Sequence, residues 1–373
     1  MGNSLSSMHW QDVLDSKNAD FDSTNDEFLV RSSGLFVGPA SIRKLGRGRI
    51  LDSATALNLM QRFKDISVVC ECDKSTLERA AILARDNRAQ LTIVYPIKEW
   101  PEESETLKVG QHSINLGKLV RQDVDERMKD IARSVESMGV RPATRLLIGD
   151  PFLEIIRDVI ENERDLVIMT AEGKGGVRER LFGSTARHLM RKCPAPLLVM
   201  KPGRRKRFQQ VLAAIDPAVT GGARDTLNHT ILELGTSISV RDDANLHIVH
   251  AWTLTGESVL RGRAGVKSAD IRRLVHDETE RIRGSVESLL SQLSISGHRL
   301  HLHKGEAAEV IARLVPKLKI DLLVMGTVCR TGVPGFFIGN TAEQVLDTVD
   351  CSVLVVKPEG FVSPVAAQIV KEH

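Results

Sequence analysis

The chain has few aromatic residues and no strong excess of charge. Of its 373 residues 4% are aromatic, and the formal net charge at pH 7 is +3. Nucleic-acid-binding domains are usually strongly basic, so direct contact with nucleic acid is not expected. No stretch of about 18 apolar residues runs without interruption, which argues against a membrane span. The first residues also lack the apolar core of a signal peptide, so secretion is not expected.

The chain lacks the motifs of several enzyme classes. No glycine loop continues into Gly-Lys-Ser/Thr, since Gly183 is followed by Ser184 and Thr185, so a Walker lysine is absent. A G-x-S-x-G nucleophile elbow is absent as well. The glycine cluster at 173–176 has the wrong spacing for a dinucleotide fingerprint. No catalytic residue is therefore predicted, and any hydrolysis is expected to be slow.

Cysteines are few, and they suggest no redox site or secreted framework. The five cysteines are odd in number and lie mostly among apolar residues, as reduced, buried thiols in a cytosolic protein do. Cys70 and Cys72 share one face of a predicted strand and are interpreted as packing residues. His298, His301 and His303 alternate along another strand, but the sequence places no carboxylate or cysteine beside them. No metal is predicted beyond the Mg²⁺ that would accompany a nucleotide.

What the chain does have is a long internal repeat. Residues 165–202 align without a gap to residues 321–358, at a constant offset of 156 positions (321 minus 165). The alignment makes these pairs: Met169 with Met325, Gly183 with Gly339, Thr185 with Thr341 and Lys201 with Lys357. Solenoid repeats have periods of roughly 20–50 residues. The longer offset therefore indicates a duplicated domain.

Each copy alternates apolar strands with amphipathic helices. The first copy is predicted to contain strands at 66–73, 90–97, 144–148, 166–170 and 196–200, and helices at 75–88, 121–138, 151–162 and 183–192. The second is predicted to contain strands at 211–216, 246–251 and 298–303, and helices at 226–236, 269–293 and 307–317, before the repeated segment. This alternation predicts an α/β protein with two tandem Rossmann-like domains, each built on a doubly wound, mostly parallel sheet.

The repeat also suggests domain limits. The predicted parts are an N-terminal extension at 1–62, domains at 64–203 and 208–362, and a tail at 363–373. The extension contains a stretch rich in Asp, Asn and Ser with little apolar surface, so it is predicted to be largely disordered. The basic linker at 201–208 is interpreted as a solvated connection, with contact to a polyanion as the alternative.

A glycine loop follows the fourth strand of each copy and opens a helix. The loop residues are Met169, Thr170, Gly173, Gly183, Ser184 and Thr185 in copy one, and Met325, Gly326, Cys329, Gly339, Asn340 and Thr341 in copy two. Glycines let backbone amides approach a ligand, and a helix N-terminus offers unpaired N–H groups. This pattern at the carboxyl ends of parallel strands predicts a di- or triphosphate site. The alternative is a tight turn at Gly183 and Gly339, with Ser184 and Asn340 as N-caps.

A carboxylate ends the first strand of each copy. Asp73 and Asp216 would point into the crevice of their respective domains, where a carboxylate can bind a ribose hydroxyl or a base nitrogen. Helix capping is the alternative role, because Asp is a preferred N-cap residue. The sequence leaves both roles open.

The Asp-terminated first strand and the G-x2-G-x9-G-(S/T) loop resemble the universal stress protein family. The resemblance covers residues 64–203 and 208–362, and residues 326–345 with the Lys357-Pro358 ending are similar to tandem, E-type bacterial members. It implies an adenine nucleotide alpha hydrolase-like fold, a cytoplasmic location, and roles in stress survival that include resistance to DNA-damaging agents. It also implies a dimer-like pairing of the two domains, which we expect through the last strands at 196–200 and 352–356. Some members bind ATP in this loop and others bind none.

Both loops depart from the family pattern. Thr170 replaces a glycine in copy one, whereas Cys329 and Asn340 replace a glycine and a Ser/Thr in copy two. Copy one retains Gly173 and the residues from Gly183 to Thr185, so the sequence slightly favours it as the binding half. We expect a non-enzymatic interaction module that takes ATP or another adenine nucleotide, with unidentified protein partners and a homodimer as a further option. The alternatives are a nucleotide-dependent switch, a slow ATPase and a relative of electron-transfer flavoproteins.

Overall fold

The computed structural model describes both repeat copies and the linker between them. Its described residues are 62–70, 72–98, 106–109, 112–171, 182–204, 206–217, 223–262, 266–327 and 339–366. The N-terminal extension therefore lies outside the described residues except for residue 62, and the tail except for residues 363–366. Gly173 and Cys329 of the predicted ligand loops also lie outside them.

The first half, residues 62–204, alternates strands and helices. In chain order its elements are β1 (Asp65–Val69), α1 (Lys74–Asn87), β2 (Gln90–Ile97), β3 (Thr106–Val109), β4 (His112–Asn115), α2 (Leu116–Glu136), β5 (Ala143–Ile148), α3 (Pro151–Glu161), β6 (Leu166–Thr170), α4 (Ser184–Lys192) and β7 (Leu197–Met200). The β3–β4 pair forms a separate two-stranded sheet that the sequence did not predict. Helix α2 begins before its predicted start at residue 121, because the Asn115 side chain caps it by accepting the Lys118 N–H at 2.7 Å.

The second half, residues 206–366, repeats the alternation. Its elements are β8 (Gln210–Ala214), α5 (Ala223–Asp242), β9 (Asn245–Trp252), α6 (Glu257–Gly262), α7 (Ser268–Gln292), β10 (His298–Lys304), α8 (Ala307–Lys317), β11 (Leu322–Gly326), α9 (Asn340–Thr348) and β12 (Ser352–Val356). Helix α5 runs past its predicted end at residue 236, although Ile238 and Val240 are β-branched and weak helix formers. Burial of Ile238 in the core outweighs that preference. None of the described helices is both long and apolar enough to span a membrane.

The two halves build one ten-stranded sheet. The strand order is β10-β9-β8-β11-β12-β7-β6-β1-β2-β5, so the order in one half is the reverse of the order in the other. Neighbouring strands run parallel within each half. At the junction β7 and β12 run antiparallel, with Leu198 opposite Leu354. The structure therefore confirms the predicted α/β class and the predicted pairing of the last strands.

Helices cover both faces of the sheet because the strands are apolar on both sides. Along β6, Val167 packs into one core cluster and Ile168 into the other. The first cluster lies under α1, α2, α5 and α7, and the second under α3, α4, α8 and α9. A strand that is apolar at successive positions, such as Leu166–Thr170, suits a sheet buried on both faces. Each cluster contains residues of both halves, so the core is continuous across the junction.

Charged side chains connect the halves on both sides of the sheet. Beside the second cluster, Arg187 of α4 contacts Asp347 of α9 at 2.5 Å, and Arg191 of α4 contacts Glu343 of α9. Beside the first, Arg79 of α1 pairs with Asp242 of α5, and both side chains are completely buried. The duplicated domains therefore form an intramolecular pair.

The basic linker is tied to acidic residues of both halves. Arg204 lies 3.1 Å from Asp350, and Lys206 lies 3.0 Å from Glu78. Arg207 bridges the halves, because its guanidinium contacts both Asp86 of α1 and Asp242 of α5. The described linker cations are thus engaged within the chain, which favours the connecting role over a polyanion contact.

Candidate functional site

The second half contains a crevice at the carboxyl ends of β8, β9 and β11. Its volume is about 630 Å³, and residues of α5, α7, α8 and α9 complete its walls. Ligands of open parallel sheets bind at this end of the strands, where the connections diverge. We call this cavity the second-half crevice. Six of the predicted site residues line it: Asp216, Met325, Gly326, Gly339, Asn340 and Thr341.

One wall of the crevice begins at the end of β8. The Asp216 N–H donates to the Asn228 Oδ1 at 3.0 Å, and Asn228 Nδ2 donates back to the Asp216 carbonyl at 3.0 Å. This reciprocal pair fixes the backbone where the strand ends, and Asn228 is itself buried on α5. The half-buried Asp216 lines the crevice.

The floor of the crevice requires a glycine at the end of β11. A β-carbon placed on Gly326 would lie 2.7 Å from Leu227 Cδ2, closer than real side chains approach. Glycine therefore lets α5 pack against the strand while leaving the space above it open. Met325, the residue before, is buried in the core and borders the same space.

The N-terminus of α9 forms the opposite wall. Gly339 is the N-cap of α9 with extended backbone angles, and as a glycine it has no side chain that could accept from the first-turn amides. Asn340 is the first residue inside the helix, so the alternative in which Asn340 acts as N-cap is wrong by one position. The Gly339 N–H donates to the Thr327 carbonyl at 3.0 Å, which fixes the loop end beside Gly326. The remaining amides are of the kind that bind anions.

The deeper wall is largely apolar and comes from β9. His250, Ala251 and Trp252 line it together with Ile231 and Ile282 of the flanking helices. His250 Nδ1 lies 3.1 Å from the Ile215 carbonyl, so the proton is on Nδ1 because a carbonyl can only accept. An apolar wall with a few fixed polar groups is typical of small-molecule sites.

Gly305 adds a backbone position that only glycine adopts easily. Its φ of +140° lies in the region that side chains avoid, and Gly149 in the first half has the same φ. Gly305 and Glu306 line the second-half crevice. The two glycines are separated by the offset of the repeat, but nothing in the sequence indicated that Gly305, or Glu278 and Arg281 of α7, belongs to the site.

The first half has a different arrangement at the corresponding position. Thr170 occupies the place of Gly326, and its hydroxyl lies 2.8 Å from the Thr76 hydroxyl of α1. The Asp73 N–H donates to Thr170 Oγ1 at 3.1 Å. A hydrogen-bonded side chain thus stands at the strand end where the second half has a glycine.

Asp73 is the N-cap of α1, and several donors surround its carboxylate. It accepts from the Thr76 N–H at 3.2 Å, from the Ser75 and Thr76 hydroxyls at 2.5 Å each, and from the Gly203 N–H at 3.0 Å. Burial raises the pKa of Asp73, but hydrogen bonds from Ser75, Thr76 and Gly203 outweigh it and lower the pKa to about 2. The geometry favours the capping role that the sequence left open.

Asp73 and Asp216 do not occupy equivalent positions. The first strand of each half ends at an equivalent residue, because Val69 of β1 lies opposite Val94 and Ala214 of β8 lies opposite Val249. The residue two places after that strand is Glu71 in the first half and Asp216 in the second. Glu71 lies outside the described residues. The sequence treated both aspartates as strand-terminal, but Asp73 lies two positions further on, at the start of α1. The prediction that Asp73 ends the first strand as Asp216 does is therefore wrong, and a ligand-binding role for either aspartate stays a prediction.

The helix that follows the glycine loop of the first half also begins one residue earlier than it would with Ser184 as its N-cap. Gly183 is the N-cap of α4, and Ser184 and Thr185 are the first residues inside the helix. Ser184 is therefore not the N-cap. Met169 is buried in the core. Gly173 lies outside the described residues, so its predicted role stays a prediction.

On β10, His301 belongs to a hydrogen-bonded group with residues of β9 and β8. His301 Nε2 lies 2.9 Å from His247 Nδ1, and His247 Nε2 lies 2.9 Å from Gln210 Oε1. His303 stacks on His301 with ring centroids 6.4 Å apart. Across the described part of the chain no group of three or more His, Cys, Asp or Glu side chains is placed to hold a metal ion.

Known proteins resemble this chain in sequence and in fold. A profile of the universal stress protein family matches residues 66–201 and 208–357. The chain is 27% identical over 301 residues to Universal stress protein E of Escherichia coli strain K12, covering 79% of this chain and 92% of that protein. It is 25% identical to the solved structure of a functionally unknown protein from Pseudomonas aeruginosa PAO1, with a TM-score of 0.66 over 85% of this chain and 100% of that one. A putative universal stress protein from Pseudomonas aeruginosa UCBPP-PA14 shares the fold at 24% identity and a TM-score of 0.64, covering 84% and 99% of the two chains.

Proposed function

Because this chain belongs to the universal stress protein family, we propose that it is a stress-response protein whose second half binds an adenine nucleotide. Family membership supports the stress-response role. Resistance to DNA-damaging agents and a cytoplasmic location stay predictions from the resemblance, as do the domain limits at 64–203 and 208–362. A homodimer of the whole chain also stays a prediction.

The observation that supports nucleotide binding is the second-half crevice itself. It combines an apolar wall from β9, a carboxylate at Asp216, a glycine floor at Gly326 and the helix N-terminus at Gly339. The apolar wall would take the base, Asp216 would accept from a ribose hydroxyl, and the α9 amides would donate to phosphate oxygens. A cavity of about 630 Å³ lies within the usual range of about 300–1,000 Å³ for small-molecule sites.

We assign binding to the second half, which reverses the preference drawn from the sequence. In the first half, the hydrogen-bonded side chains of Thr170 and Thr76 stand at the strand end where the second half has Gly326, which has no side chain. Asp73 is also held by Ser75 and other donors of its own half, so a ligand would have to displace them. The first half would then act as a structural partner of the second.

We further propose that the nucleotide acts as a bound ligand rather than as a substrate. The sequence lacks a Walker lysine. Arg281, the cation among the described lining residues, is engaged by Glu278 at 2.6 and 2.8 Å. Stabilising the charge that develops in phosphoryl transfer takes free cations or metal ions at the phosphates. Bound nucleotide would instead shift the stability or partner affinity of the chain by mass action.

The proposal can be tested by titration calorimetry on the full chain and two variants. Gly326→Thr combined with Leu227→Thr gives the end of β11 the threonine of the first half and shortens the side chain with which that threonine would clash. We expect the wild-type chain to bind one adenine nucleotide, and the double variant to lose at least about tenfold in affinity, the effect of about 1.4 kcal/mol. Thr170→Gly, which alters only the first half, should leave the affinity unchanged.

Two outcomes would overturn the assignment. Unchanged affinity in the Gly326→Thr/Leu227→Thr variant would show that the ligand binds elsewhere. Loss of affinity in Thr170→Gly alone would return the site to the first half. The double variant's far-ultraviolet circular dichroism should match the wild type, which separates loss of the site from loss of the fold.

A further inference from the structure

The end of α4, in the first half, is capped by side chains of the second half. Helix α4 ends before Pro194, which has no N–H, so the Met190 carbonyl four residues earlier has no helical donor. The Thr327 hydroxyl donates to this carbonyl at 3.1 Å, and the Lys357 ammonium donates to the same oxygen. A lysine also suits the negative end of a helix. The second half therefore satisfies a backbone group that the first half leaves unpaired.

Parallel pairing of β11 with β12 brings the two capping residues together. Thr327 and Lys357 each follow the last residue of a strand, and those last residues, Gly326 and Val356, lie opposite each other. The Lys357 ammonium also donates to the Thr327 hydroxyl. Thr327 is 1% and Lys357 8% exposed, so water competes little for these hydrogen bonds. We call Met190, Thr327 and Lys357 the junction network.

The same threonine holds the wall of the second-half crevice that would face phosphate. The Thr327 carbonyl accepts the Gly339 N–H at 3.0 Å, and Gly339 is the N-cap of α9. Thr327 is not among the residues that line the crevice, so it would act on a ligand through α9. The side chain of Thr327 thus contacts the first half, while its backbone holds the start of α9.

The first half cannot form the equivalent network. The residue 156 positions before Thr327 is Ala171, which has no hydroxyl. The residue 156 positions after Pro194 is Asp350, which has an N–H. The support across the junction therefore runs in one direction, from α4 to the start of α9. This direction agrees with the assignment of nucleotide binding to the second half.

We infer that Thr327 and Lys357 are positioning residues that fix the N-terminus of α9 against the first half, and that they thereby set the affinity of the second-half crevice for the phosphate of a nucleotide. This inference rests on the proposed nucleotide site and deepens it. The α9 amides would bind the phosphate rather than the base, and hydrogen bonds weaken steeply when they are misaligned. A displaced start of α9 should therefore weaken binding of adenosine monophosphate (AMP) more than binding of adenosine.

The test compares the affinities of adenosine and AMP for the full chain and its variants by titration calorimetry. Thr327→Val keeps the shape of the side chain but removes its hydroxyl. It should lower the affinity for AMP at least about fivefold, the effect of losing one hydrogen bond, and leave the affinity for adenosine within about twofold. Thr327→Ser retains a hydroxyl, so it should bind AMP as tightly as the wild type. Lys357→Met removes the ammonium from the junction network and should weaken AMP binding selectively, as Thr327→Val does.

A second buried hydrogen bond across the junction provides a matched control. The Lys201 N–H donates to the Ser352 hydroxyl, also at 3.1 Å. Ser352 begins β12, whereas Lys357 follows the other end of that strand. Ser352→Ala therefore removes a junction hydrogen bond of the same length without altering the junction network. It should leave the affinities for adenosine and AMP unchanged.

The outcomes separate this inference from the proposed function. Unchanged AMP affinity in Thr327→Val, or an equal loss in Ser352→Ala, would overturn the positioning role while the nucleotide site stands. Equal losses for adenosine and AMP would overturn it too, because they would indicate general damage to the fold. If circular dichroism shows that Thr327→Val is unfolded, Lys357→Met supplies the same comparison. If the wild-type chain binds neither ligand, the proposed function fails and this inference fails with it.

Discussion

Replacing Asp242 with asparagine should weaken the connection between the two halves more than any surface charge change. Arg79 Nη1 lies 2.8 Å from each carboxylate oxygen of Asp242, and both side chains are completely buried. Asp242 also accepts the Phe208 N–H at 2.8 Å, and the Arg79 guanidinium lies 4.6 Å from the Phe208 ring centre. The pair therefore joins α1, the linker and α5 in a region without water access.

The expected magnitude follows from leaving a buried cation unpaired. Breaking a buried ion pair by removing one partner costs about 3–5 kcal/mol, whereas an exposed pair contributes about 0.2–1 kcal/mol. Asp242→Asn keeps the shape and one acceptor oxygen but removes the charge that Arg79 requires. We expect the free energy of unfolding, measured by urea titration followed by circular dichroism, to fall by about 3 kcal/mol or more.

Two controls make the measurement specific. Asp130→Asn removes the exposed partner of Arg133 on α2 and should cost less than about 1 kcal/mol. Combining Arg79→Met with Asp242→Leu removes both buried charges and should restore part of the lost stability, the remaining loss arising from the Phe208 N–H that no longer has its acceptor. A loss in Asp242→Asn no larger than in Asp130→Asn would refute the reasoning that this buried pair holds the halves together.

Three smaller predictions concern single positions in the second half. Gly284 lies in the interior of α7 with open space around an added β-carbon, so Gly284→Ala should raise the free energy of unfolding by about 0.5–1 kcal/mol in urea titrations; no gain would contradict it. Burial lowers the pKa of His247 to about 4, below the unfolded value of about 6.5, so its contribution to stability is present above pH 6.5 and lost as the pH falls towards 4. His247→Gln should therefore reduce the loss of unfolding free energy between pH 6.5 and 4. An unchanged dependence of stability on pH would contradict this prediction. Burial lowers the pKa of Lys357 to about 7, so the unfolded chain binds more protons between pH 7 and about 10.4 and stability rises with pH there. Lys357→Met should remove that rise, and a slope equal to that of the wild type would argue against it.

The repeat and the alternation of strands made most of the fold predictable. Runs such as Leu166–Thr170 and Ser352–Val356 are apolar at successive positions, which indicates strands buried on both faces. The pairing of the last strands followed from treating the duplication as an internal dimer, and it is confirmed by the antiparallel register of Leu198 and Leu354. The β3–β4 hairpin and α6 were missed because each is short and has no repeated counterpart in the other half.

The candidate site was harder to predict, because the contacts that shape it join residues far apart in the chain. Thr170 was identified as a departure from a glycine pattern, but its partner Thr76 lies on another element and gives no signal in the sequence. The position of Asp73 depends on where α1 begins, which shifts it by two places from Asp216. His247 was missed as the partner of His301 because the two residues meet only when β9 and β10 pair.

The most direct test of the central claim is photolabelling of the intact chain with 8-azidoadenosine monophosphate, followed by peptide mapping. The base would lie against the apolar wall at His250 and Trp252, so the label should appear on the second-half peptide that contains β9. An excess of unlabelled AMP should prevent labelling, and Gly326→Thr with Leu227→Thr should abolish it. The account would be contradicted if the label appeared on the first-half peptide that contains β2 and unlabelled AMP prevented it. It would also be contradicted if neither half were labelled.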